Sequence, residues 1–427
     1  LVARRPDGSF PAGPELSALH RDLLAERVTF TAVLGRLGAT IHAGDFAPAG
    51  SFVTPPFTPV RFDSSFYVAH LPPGQHAEVV PGELDEGRWA TAADLLECWR
   101  RGECLVSPPT LLILQAVRGR PIDEVPTRIA PHAAYHASGA IPPIFYAPHV
   151  QLAPLFTDGL PPATHTNAYL VGAGPAYLID PGASDPDEQR RLFDLIDVQQ
   201  ALGRRLAAVV LTHHHPDHVG AAAAAARQYG VPVWAHRLTA RALEGKVAIA
   251  HFIEDGDRLD LGPCPDGGGP WHLEALWTPG HASGHLAFWE PRYRFVFAGD
   301  LVSMLSSVVI APPDGDLALY LDSLRRLRGL PSRLLLPGHG SPSTRPAAVL
   351  DEALAHRAKR EEQLLEALQA GPRKVPELAV ELYRGLPANL MRFAEMQVVA
   401  GLYKLRQEGR AEEVADGPEP AWRLRAV

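Results

Sequence analysis

Residues 206–219 read LAAVVLTHHHPDHV, and this stretch decides how the rest of the sequence is interpreted. Its apolar first half predicts a buried strand. The strand opens into a loop with four potential metal ligands: His213, His215, Asp217 and His218. Side chains two residues apart in an extended chain share a side, so His213 and His215 are predicted to bind one ion. Asp217 and His218 are predicted to lie at the start of the following Ala-rich helix and to serve a second ion.

Three later segments repeat this design of an apolar strand, a glycine turn and one potential ligand. Residues 273–276 lead to His281, residues 294–298 lead to Gly299 and Asp300, and residues 334–336 lead to Gly338 and His339. A single histidine or aspartate after a strand is usually part of a capped turn. In α/β folds, however, ligands collect beyond the carboxyl ends of strands. The four loops together are therefore predicted to meet in one crevice.

The composition fits a soluble protein with two or three domains. The chain has 427 residues, of which 46% are hydrophobic and 21% are charged, which is too long for a single core. No apolar run has the length of a membrane-spanning helix, and no secretory signal opens the chain. Three cysteines without close spacing argue against disulfides and favour a cytoplasmic location. The net charge of −8 excludes a general electrostatic attraction to nucleic acid or to anionic membranes.

The ligand order H-x-H-x-D-H, His, Asp, His resembles the metallo-β-lactamase superfamily over residues 151–343. The segments TNAYLV and LIDPG, which begin at Thr166 and Leu178, resemble the opening strands of that fold. The resemblance implies the α/β class, with an αββα sandwich over residues 149–345. It also implies two metal ions, one held by His213, His215 and His281, the other by Asp217, His218 and His339, with Asp300 as the bridge.

The implied ligand set contains nitrogen and oxygen but no sulfur. Such a set suits two zinc ions and tolerates manganese or iron. Two cations close together can share a hydroxide near neutral pH and stabilise the oxyanion that develops on the substrate, so hydrolysis is the predicted reaction. The resemblance further implies that Asp217 is a catalytic residue that orients or deprotonates the attacking water.

Other polar residues near the predicted site receive separate interpretations. His285 resembles either a substrate-binding position or a structural imidazole that hydrogen-bonds beneath the ligands. Strand alternation turns His214 away from its neighbours, which predicts a structural role. His236 and His272 are predicted to be packing or surface residues. Asp180 is expected to hold loops below the metals through hydrogen bonds rather than to bind an ion.

The last part of the chain, residues 346–427, is predicted to form a winged-helix domain. Leucines at helical spacing run from Leu350 to Leu405, and two short strand-like runs follow, joined by a turn at Gly417 and Pro418. An appended winged helix resembles the β-lactamase-like-protein-2 group of the superfamily. That group includes endoribonucleases for single-stranded RNA and thioester hydrolases. The expected substrate is therefore single-stranded RNA or a small-molecule ester or thioester.

Charge bears on the RNA alternative. Residues 346–427 contain 12 basic and 13 acidic residues, a balance that disfavours nucleic-acid binding. One basic face remains an open alternative, formed by Arg384, Arg392, Lys404, Arg406 and Arg410. The other interpretation is that this domain packs against the catalytic domain or forms a homodimer.

Residues 1–125 resemble the second half of a Nudix domain. The resemblance rests on the segment RFDSSFYVA from Arg61, on residues 83–89 and on TAADLL from Thr91. The Nudix box, whose glutamates bind magnesium, is absent from residues 1–427, so the domain is expected to be noncatalytic. Because the chain starts at Leu1 rather than at Met, we expect a truncation inside this domain and leave open whether a Nudix box precedes it.

Local patterns in the N-terminal third predict few regular elements. Residues 66–69 and 104–106 are strand-like, and residues 91–100 are predicted to form a helix capped by Thr91. Residues 126–148 are rich in proline and are predicted to be a linker in which helices do not persist.

Other functions compete with a metallohydrolase. The winged helix allows a nucleic-acid-binding regulator with a vestigial metal site. A mononuclear iron dioxygenase needs only two histidines and one aspartate, and here His218 and His339 complete a second site. β-Lactam hydrolysis is a further alternative, because a fold does not determine a substrate. Specificity is expected to lie in residues 284–286 and 303–313 and in the N-terminal domain, while the substrate, the metal and the oligomeric state stay open.

Overall fold

The computed structural model describes residues 1–55, 57–58, 60–79, 85–415 and 419–425. They divide into two units: Leu1–Thr54 with Phe62–Gly139, and Pro55–Arg61 with Ala140–Val427. The second unit therefore contains both the predicted metal-binding domain and the predicted winged helix.

The first unit is mainly helical in its described residues. Its helices and strands are α1 (Pro14–Leu24), α2 (Phe30–Leu37), β1 (Ala47–Val53), β2 (Asp63–Val68), α3 (Ala92–Arg100), α4 (Pro108–Val117) and α5 (Val125–Ala137). The predicted cap of α3 is confirmed, since the Thr91 hydroxyl accepts the Asp94 backbone N–H. The strand predicted at residues 104–106 is wrong, because this run of three residues has no neighbouring strand to pair with. The Nudix-like interpretation stays a prediction.

Helix α5 corrects the prediction that residues 126–148 form a linker without helices. It continues through Pro131, which has no N–H for the intrahelical hydrogen bond. Ile129 of this helix is buried in one core with Phe52 of β1, and this apolar burial offsets the missing hydrogen bond. After the helix, Ile144–Ala147 forms the first strand of the second unit.

The second unit contains two mixed β-sheets with helices on their outer faces. Its elements up to residue 339 are β3 (Ile144–Ala147), β4 (Val150–Phe156), β5 (His165–Val171), β6 (Pro175–Ile179), α6 (Pro186–Ala201), β7 (Arg205–Val210), α7 (Pro216–Val219), α8 (Ala222–Tyr229), β8 (Val233–Ala235), α9 (Arg237–Ala242), β9 (His251–Phe252), β10 (Arg258–Pro263), β11 (Pro270–Trp277), β12 (Leu286–Glu290), β13 (Phe295–Ser303), α10 (Leu317–Arg328) and β14 (Leu334–His339). The strand orders are β3-β4-β5-β6-β7-β8-β9 and β10-β11-β12-β13-β14. β6 to β9 run parallel in the first sheet, and β13 runs parallel to β14 in the second.

Strand alternation explains the layers. In β13, Phe295 and Phe297 lie in the core between the sheets, whereas Val296 and Ala298 lie in the core under the outer helices. The strands β6 and β7 divide their side chains in the same way between the central core and a second core under α6 and α8. The resulting order of layers is helix, sheet, sheet, helix, which confirms the predicted αββα sandwich.

The C-terminal region has the helices and the small sheet that the winged-helix prediction requires. Its elements are α11 (Pro346–Gln369), β15 (Arg373–Lys374), α12 (Val375–Leu382), α13 (Met391–Gln407), β16 (Ala411–Val414) and β17 (Ala421–Leu424). β17 pairs with both β15 and β16. Their core contains Leu364, Leu378, Leu402 and Trp422. The turn predicted at Gly417 and Pro418 lies outside the described residues.

The C-terminal helices also cover the outer face of the second sheet. Leu350 of α11 and Ala400 of α13 belong to the same core as Val296 of β13 and Tyr320 of α10. This shared core joins the C-terminal helices to the sandwich. No helix within the described ranges, α11 included, is long and apolar enough to cross a membrane.

Candidate metal centre

The seven predicted ligands come together at one edge of the sandwich. His213 and His215 follow β7, Asp217 and His218 lie on α7, His281 lies in the loop after β11, Asp300 lies in β13, and His339 ends β14. The carboxyl ends of these strands bring the ligands into one place, as the strand–turn–ligand pattern predicts. Their proximity fits the proposed ligand set, and ligation itself stays a prediction.

Two details of this framework differ from the sequence analysis. Asp217 and His218 do not begin the Ala-rich helix but lie on the separate four-residue helix α7. The break follows from tertiary hydrogen bonding, because the Ala221 N–H donates to the Pro181 carbonyl at 2.8 Å instead of to a helical carbonyl. β13 also does not end before Asp300, since its pairing with β14 continues to Ser303.

The first group of ligands consists of three imidazoles. His213 Nε2 lies 3.0 Å from His215 Nδ1, and His281 Nε2 lies 2.9 Å from the same atom. Tetrahedral zinc with bonds of about 2.0–2.1 Å would separate two ligand nitrogens by about 3.3 Å. The three nitrogens are therefore close to the spacing that one shared ion requires.

The second group consists of Asp217, His218 and His339. The ligand atoms of this group all lie within 4.8 Å of one another. His339 Nε2 is 3.4 Å from Asp217 Oδ2. One carboxylate and two imidazoles again form an oxygen and nitrogen donor set that suits a divalent cation.

The Asp300 carboxylate lies between the two groups. Its Oδ2 is 3.7 Å from His281 Nε2 in the first group and 3.4 Å from His339 Nε2 in the second. Its Oδ1 is 3.4 Å from His218 Nε2. A carboxylate in this position can contact an ion in either group, as the predicted bridge requires.

Two buried polar atoms at the centre have no hydrogen-bond partner among the described residues. They are His218 Nε2 and Asp300 Oδ1. Buried polar atoms are normally paired, because an unpaired one loses its hydration without compensation. A cation between these atoms would satisfy both, so the residues present fit a bound metal.

Hydrogen bonds from the protein fix the orientation of the imidazoles. The Nδ1 atoms of His281 and His339 lie 2.8 Å from the carbonyl oxygens of Val309 and His165, which can only accept. These Nδ1 atoms therefore carry protons, so in the neutral form of each ring the lone pair is on Nε2, which points into the centre. The protein thus selects the tautomer that binds metal.

Asp180 has the supporting role that the sequence predicts. Its carboxylate accepts the backbone N–H of Thr212 at 2.7 Å and the Thr212 hydroxyl at 2.6 Å. It also lies 2.9 Å from His218 Nδ1, which leaves Nε2 of that ring free for the centre. Although Asp180 is close enough to His213 and His218 to form a third donor group, these contacts already engage both of its oxygens.

Electrostatics differ between the two groups. Burial, with repulsion between imidazoles, lowers the pKa of His213 well below its usual value and that of His215 to about 3, so both rings are neutral at pH 7. Burial opposes protonation of His218 and His339 as well, but neighbouring carboxylates outweigh it. Asp300 and Asp180 raise the pKa of His218 well above its usual value, and Asp300 and Asp217 raise that of His339 to about 10. Without metal, these two rings carry the positive charge that a cation would supply. Metal uptake therefore has to release protons.

Gly338 provides the space in which the carboxylate lies. A Cβ atom at this position would come 2.4 Å from Asp300 Oδ1 and 2.8 Å from His218 Cε1.

We expect Gly338→Ala to displace both Asp300 and His218 and to lower metal affinity by about 10- to 100-fold, the effect typical of disturbed support around a metal site. Competition with a chromophoric chelator measures this. Gly329→Ala is the control, because its Cβ would meet nothing closer than 3.4 Å, and an unchanged affinity in Gly338→Ala would contradict the account.

His285 is a correction to the substrate-binding prediction. The ring is fully buried, its Nδ1 lies 2.9 Å from the Thr278 hydroxyl, and its Nε2 accepts the Asp300 backbone N–H at 3.2 Å. With both nitrogens engaged, the ring supports the backbone that carries Asp300. These contacts fit the alternative prediction that His285 is a structural imidazole, and they do not fit a contact with the substrate.

The other histidines follow their predictions in part. The His236 imidazole accepts the Leu238 backbone N–H and stacks on Trp277, which is the predicted packing role. His214 belongs to neither ligand group, as predicted, but it lines the cleft in front of the metal centre and faces Asp314 at 3.8 Å. The structural role of His214 stays a prediction.

The cleft in front of the ligands has a volume of about 370 Å³. Residues of the 303–313 loop line it, as the sequence analysis expected, together with the loop after β4 and with Phe393 and Met396 of α13. Residues 284–286 do not line it, because Leu286 starts β12 and is buried. The described residues around the cleft include neither lysine nor arginine.

Two positioning residues were not identified from sequence. The Asn167 side chain of β5 donates to the Pro337 and Gly340 carbonyls at 2.9 and 2.7 Å, and the Tyr169 hydroxyl donates to Pro337 at 2.8 Å. These bonds tie the first sheet to the end of β14, where His339 lies. The signal in the sequence was an asparagine inside an otherwise apolar, buried strand.

Comparison with known families gives two matches. Residues 161–339 match the Metallo-beta-lactamase superfamily. Residues 375–422 match the Beta-lactamase associated winged helix domain. These two segments coincide with the sandwich and the C-terminal domain of the second unit.

Curated relatives share part of the chain. A hydroxyacylglutathione hydrolase from Bdellovibrio bacteriovorus is 28% identical over 189 residues, which are 44% of this chain and 65% of that protein. A Beta-lactamase-like protein 2 homolog from Caenorhabditis elegans is 28% identical over 209 residues, which are 48% of this chain and 65% of that protein. The chain thus spans 65% of the length of each of these relatives.

Solved structures share the fold. A metallo-beta-lactamase family protein from Thermus thermophilus aligns with a TM-score of 0.53 and 26% identity over 66% of this chain and 100% of that chain. A beta-lactamase domain protein from Burkholderia ambifaria aligns with a TM-score of 0.57 and 21% identity over 66% of this chain and 93% of that chain. Residues 161–339 therefore form a domain of the metallo-β-lactamase superfamily, and residues 375–422 form the winged-helix domain associated with it.

Proposed function

We propose that this chain is a metal-dependent hydrolase that cleaves a small-molecule thioester or ester at a dinuclear, zinc-binding centre. The observation that carries the proposal is the pair of donor groups with the Asp300 carboxylate between them. When bound, two cations supply a nucleophile from water near neutral pH and stabilise negative charge on the substrate oxygen. All seven ligand side chains lie at one edge of the sandwich, next to a cleft that a small substrate can enter.

Asp217 is the proposed catalytic residue of the protein itself. It lines the cleft, and its side chain is 17% exposed. Although burial opposes ionisation, the hydrogen bond with His339 lowers the pKa of Asp217 below its usual value, so the carboxylate is ionised at pH 7. It can accept the proton of the attacking water and return it to the leaving group. Water then adds to the acyl carbon, the C–S or C–O bond breaks, and a carboxylate and a thiol or alcohol leave.

The cleft favours a thioester or ester over a phosphodiester. A phosphate substrate is usually held by arginine or lysine, and the described cleft residues include neither. Asp158 and Asp314 instead add acidic groups near the entrance. The Bdellovibrio bacteriovorus relative is a hydroxyacylglutathione hydrolase, and its name describes cleavage of a thioester, which supports the same chemistry.

The basic face on which the RNA alternative depends is partly neutralised. Lys404 and Arg410 both form ion pairs with Glu361, and Arg406 lies 3.6 Å from Glu413. These three of the five cations have carboxylate partners, which disfavours RNA as the substrate. The nucleic-acid-binding regulator is disfavoured for the same reason.

The mononuclear iron alternative is also disfavoured by the site. Asp217, His218 and His339 form a complete second donor group, and a single-iron enzyme has no use for it. Two zinc ions suit the nitrogen and oxygen donors, and manganese or iron remain compatible with them.

The remaining predictions belong to this proposal. We propose domains at residues 149–345 and 346–427, a noncatalytic Nudix-like fold at residues 1–125, a cytoplasmic location and a homodimer. Sedimentation velocity tests the homodimer directly, because a monomer at micromolar concentration would contradict it.

Metal removal tests the proposed function. The full chain is stripped with a chelator and assayed on thioester, ester, lactone, β-lactam, phosphodiester and RNA substrates before and after Zn²⁺ is restored. We expect no turnover without metal, recovery with Zn²⁺, and the highest kcat/KM on a thioester or ester. Full activity of the stripped protein would overturn metal dependence, and a preference for RNA would overturn the substrate class.

A further inference from the structure

Helix α13 of the C-terminal domain forms part of the metal cleft. Phe393 and Met396, one turn apart on this helix, line the same cavity as His281 and Asp300. Specificity was expected from loops of the sandwich and from the N-terminal domain, and no sequence pattern connects α13 with the site. The C-terminal domain therefore contributes side chains to the region where a substrate must bind.

Hydrogen bonds attach this helix to a metal-ligand support. Gln397 of α13 and Arg357 of α11 both donate to the Val308 carbonyl, Gln397 at 2.7 Å. The next carbonyl, that of Val309, receives the His281 Nδ1 proton at 2.8 Å. Arg357 is only 7% exposed and also donates to Gln397. These hydrogen bonds, which involve the buried Arg357 side chain, thus fix the position of α13 relative to the metal centre.

The wall that α13 contributes is apolar. Phe393 and Met396 are joined along the cleft by Val308 and Val309, and Leu160 lines the same cavity. Met396 is 37% exposed. Its flexible, apolar side chain suits a surface that adapts to ligands of different shape. The polar cleft residues, by contrast, include the ligands themselves and His214 with Asp314.

We propose that Phe393 and Met396 form an acyl-binding subsite, so that the preferred substrate is a thioester or ester with an extended apolar acyl group. The inference rests on the proposed hydrolase function and deepens it. The acyl group is the better occupant of this wall than the leaving group, because Val308, Val309 and Leu160 extend the apolar lining beside Phe393 and Met396, whereas biological carrier thiols are polar or charged. The Arg392 guanidinium stacks on the Phe393 ring at 4.6 Å and is not among the residues that line the cleft. When an apolar chain lies against Phe393 and Met396, the facing surfaces of the chain and of the two side chains are both removed from water, which favours binding.

The test compares acyl chain lengths on one carrier. The full chain, loaded with Zn²⁺, is assayed on acetyl, butyryl, hexanoyl and octanoyl thioesters of N-acetylcysteamine. Wild type is expected to gain up to about fourfold in kcat/KM per buried methylene, mostly through KM. Phe393→Ala and Met396→Ser are expected to flatten this dependence, so that their loss of kcat/KM relative to wild type grows with each added methylene. Val380→Ala, at an exposed position of α12, is the matched control with unchanged dependence.

A binding measurement separates the subsite from catalysis. Octanamide, a neutral probe, is titrated into metal-free protein by calorimetry, and weaker binding is expected in Phe393→Ala and Met396→Ser but not in Val380→Ala. Because Met396 is partly exposed, we expect Met396→Ser to fold. This variant therefore keeps the test valid if Phe393→Ala unfolds. Equal chain-length dependence in wild type and both variants would overturn the subsite while acetyl turnover upholds the hydrolase. No turnover of any thioester or ester by the Zn²⁺-loaded chain would overturn the proposed function, whatever the octanamide titrations show.

Discussion

Asp300→Asn is expected to lower kcat/KM by at least about 10²- to 10³-fold, because several kcal/mol of charge stabilisation at the metal centre depend on it. The carboxylate contacts His218, His281 and His339 and so lies between both donor groups. Asparagine keeps the shape of the side chain but removes the negative charge that attracts two cations. We therefore expect weaker metal binding as well as slower turnover, measured by chelator competition and by steady-state kinetics.

The control for this prediction is Asp322→Asn. Asp322 is an exposed residue of α10 whose partner is Arg325 in the same helix, and its substitution is expected to leave metal affinity and turnover unchanged. An Asp300→Asn protein that binds two metal ions with wild-type affinity would contradict the bridging role.

His215→Ala is expected to empty one half of the centre. His215 Nδ1 lies within 3.0 Å of both His213 Nε2 and His281 Nε2, so its removal leaves only two ligands from that group. The other group is left intact. Bound metal should fall from about two ions to about one per chain, and kcat/KM should fall by at least about 10²-fold.

Elemental analysis of the purified variant measures this change. His272→Ala is the matched control, because His272 lies on β11 outside both donor groups. If His215→Ala kept two ions and full turnover, the first donor group would not be a metal site. If it lost both ions, the two groups would depend on each other more strongly than their separate ligands indicate.

The core of the site was predictable because its signals are local. Each proposed ligand lies in the last part of an apolar strand or in the segment after it, where α/β folds gather polar side chains. His213 and His215 share a side through simple alternation. The sandwich of two packed sheets, in contrast, was implied by the resemblance to the metallo-β-lactamase superfamily and not by the pattern of any one strand.

Other features depend on contacts between distant segments, and local patterns do not contain them. Helix α5 tolerates Pro131 because Ile129 packs into a core formed with β1. The break between α7 and α8 follows from a hydrogen bond of Ala221 to Pro181, some forty residues earlier in sequence. Phe393 reaches the cleft only because α13 packs on the sandwich. In each case the deciding partner is remote in sequence, so neither propensity nor spacing identifies it.

Metal titration of the stripped full chain tests the central claim most directly. Zn²⁺ is added stepwise, and bound metal and thioesterase activity are measured in the same samples. The account predicts saturation at about two ions per chain, with full activity only when both donor groups are filled. Saturation at one ion with full activity, or activity independent of added metal, would contradict a dinuclear hydrolase.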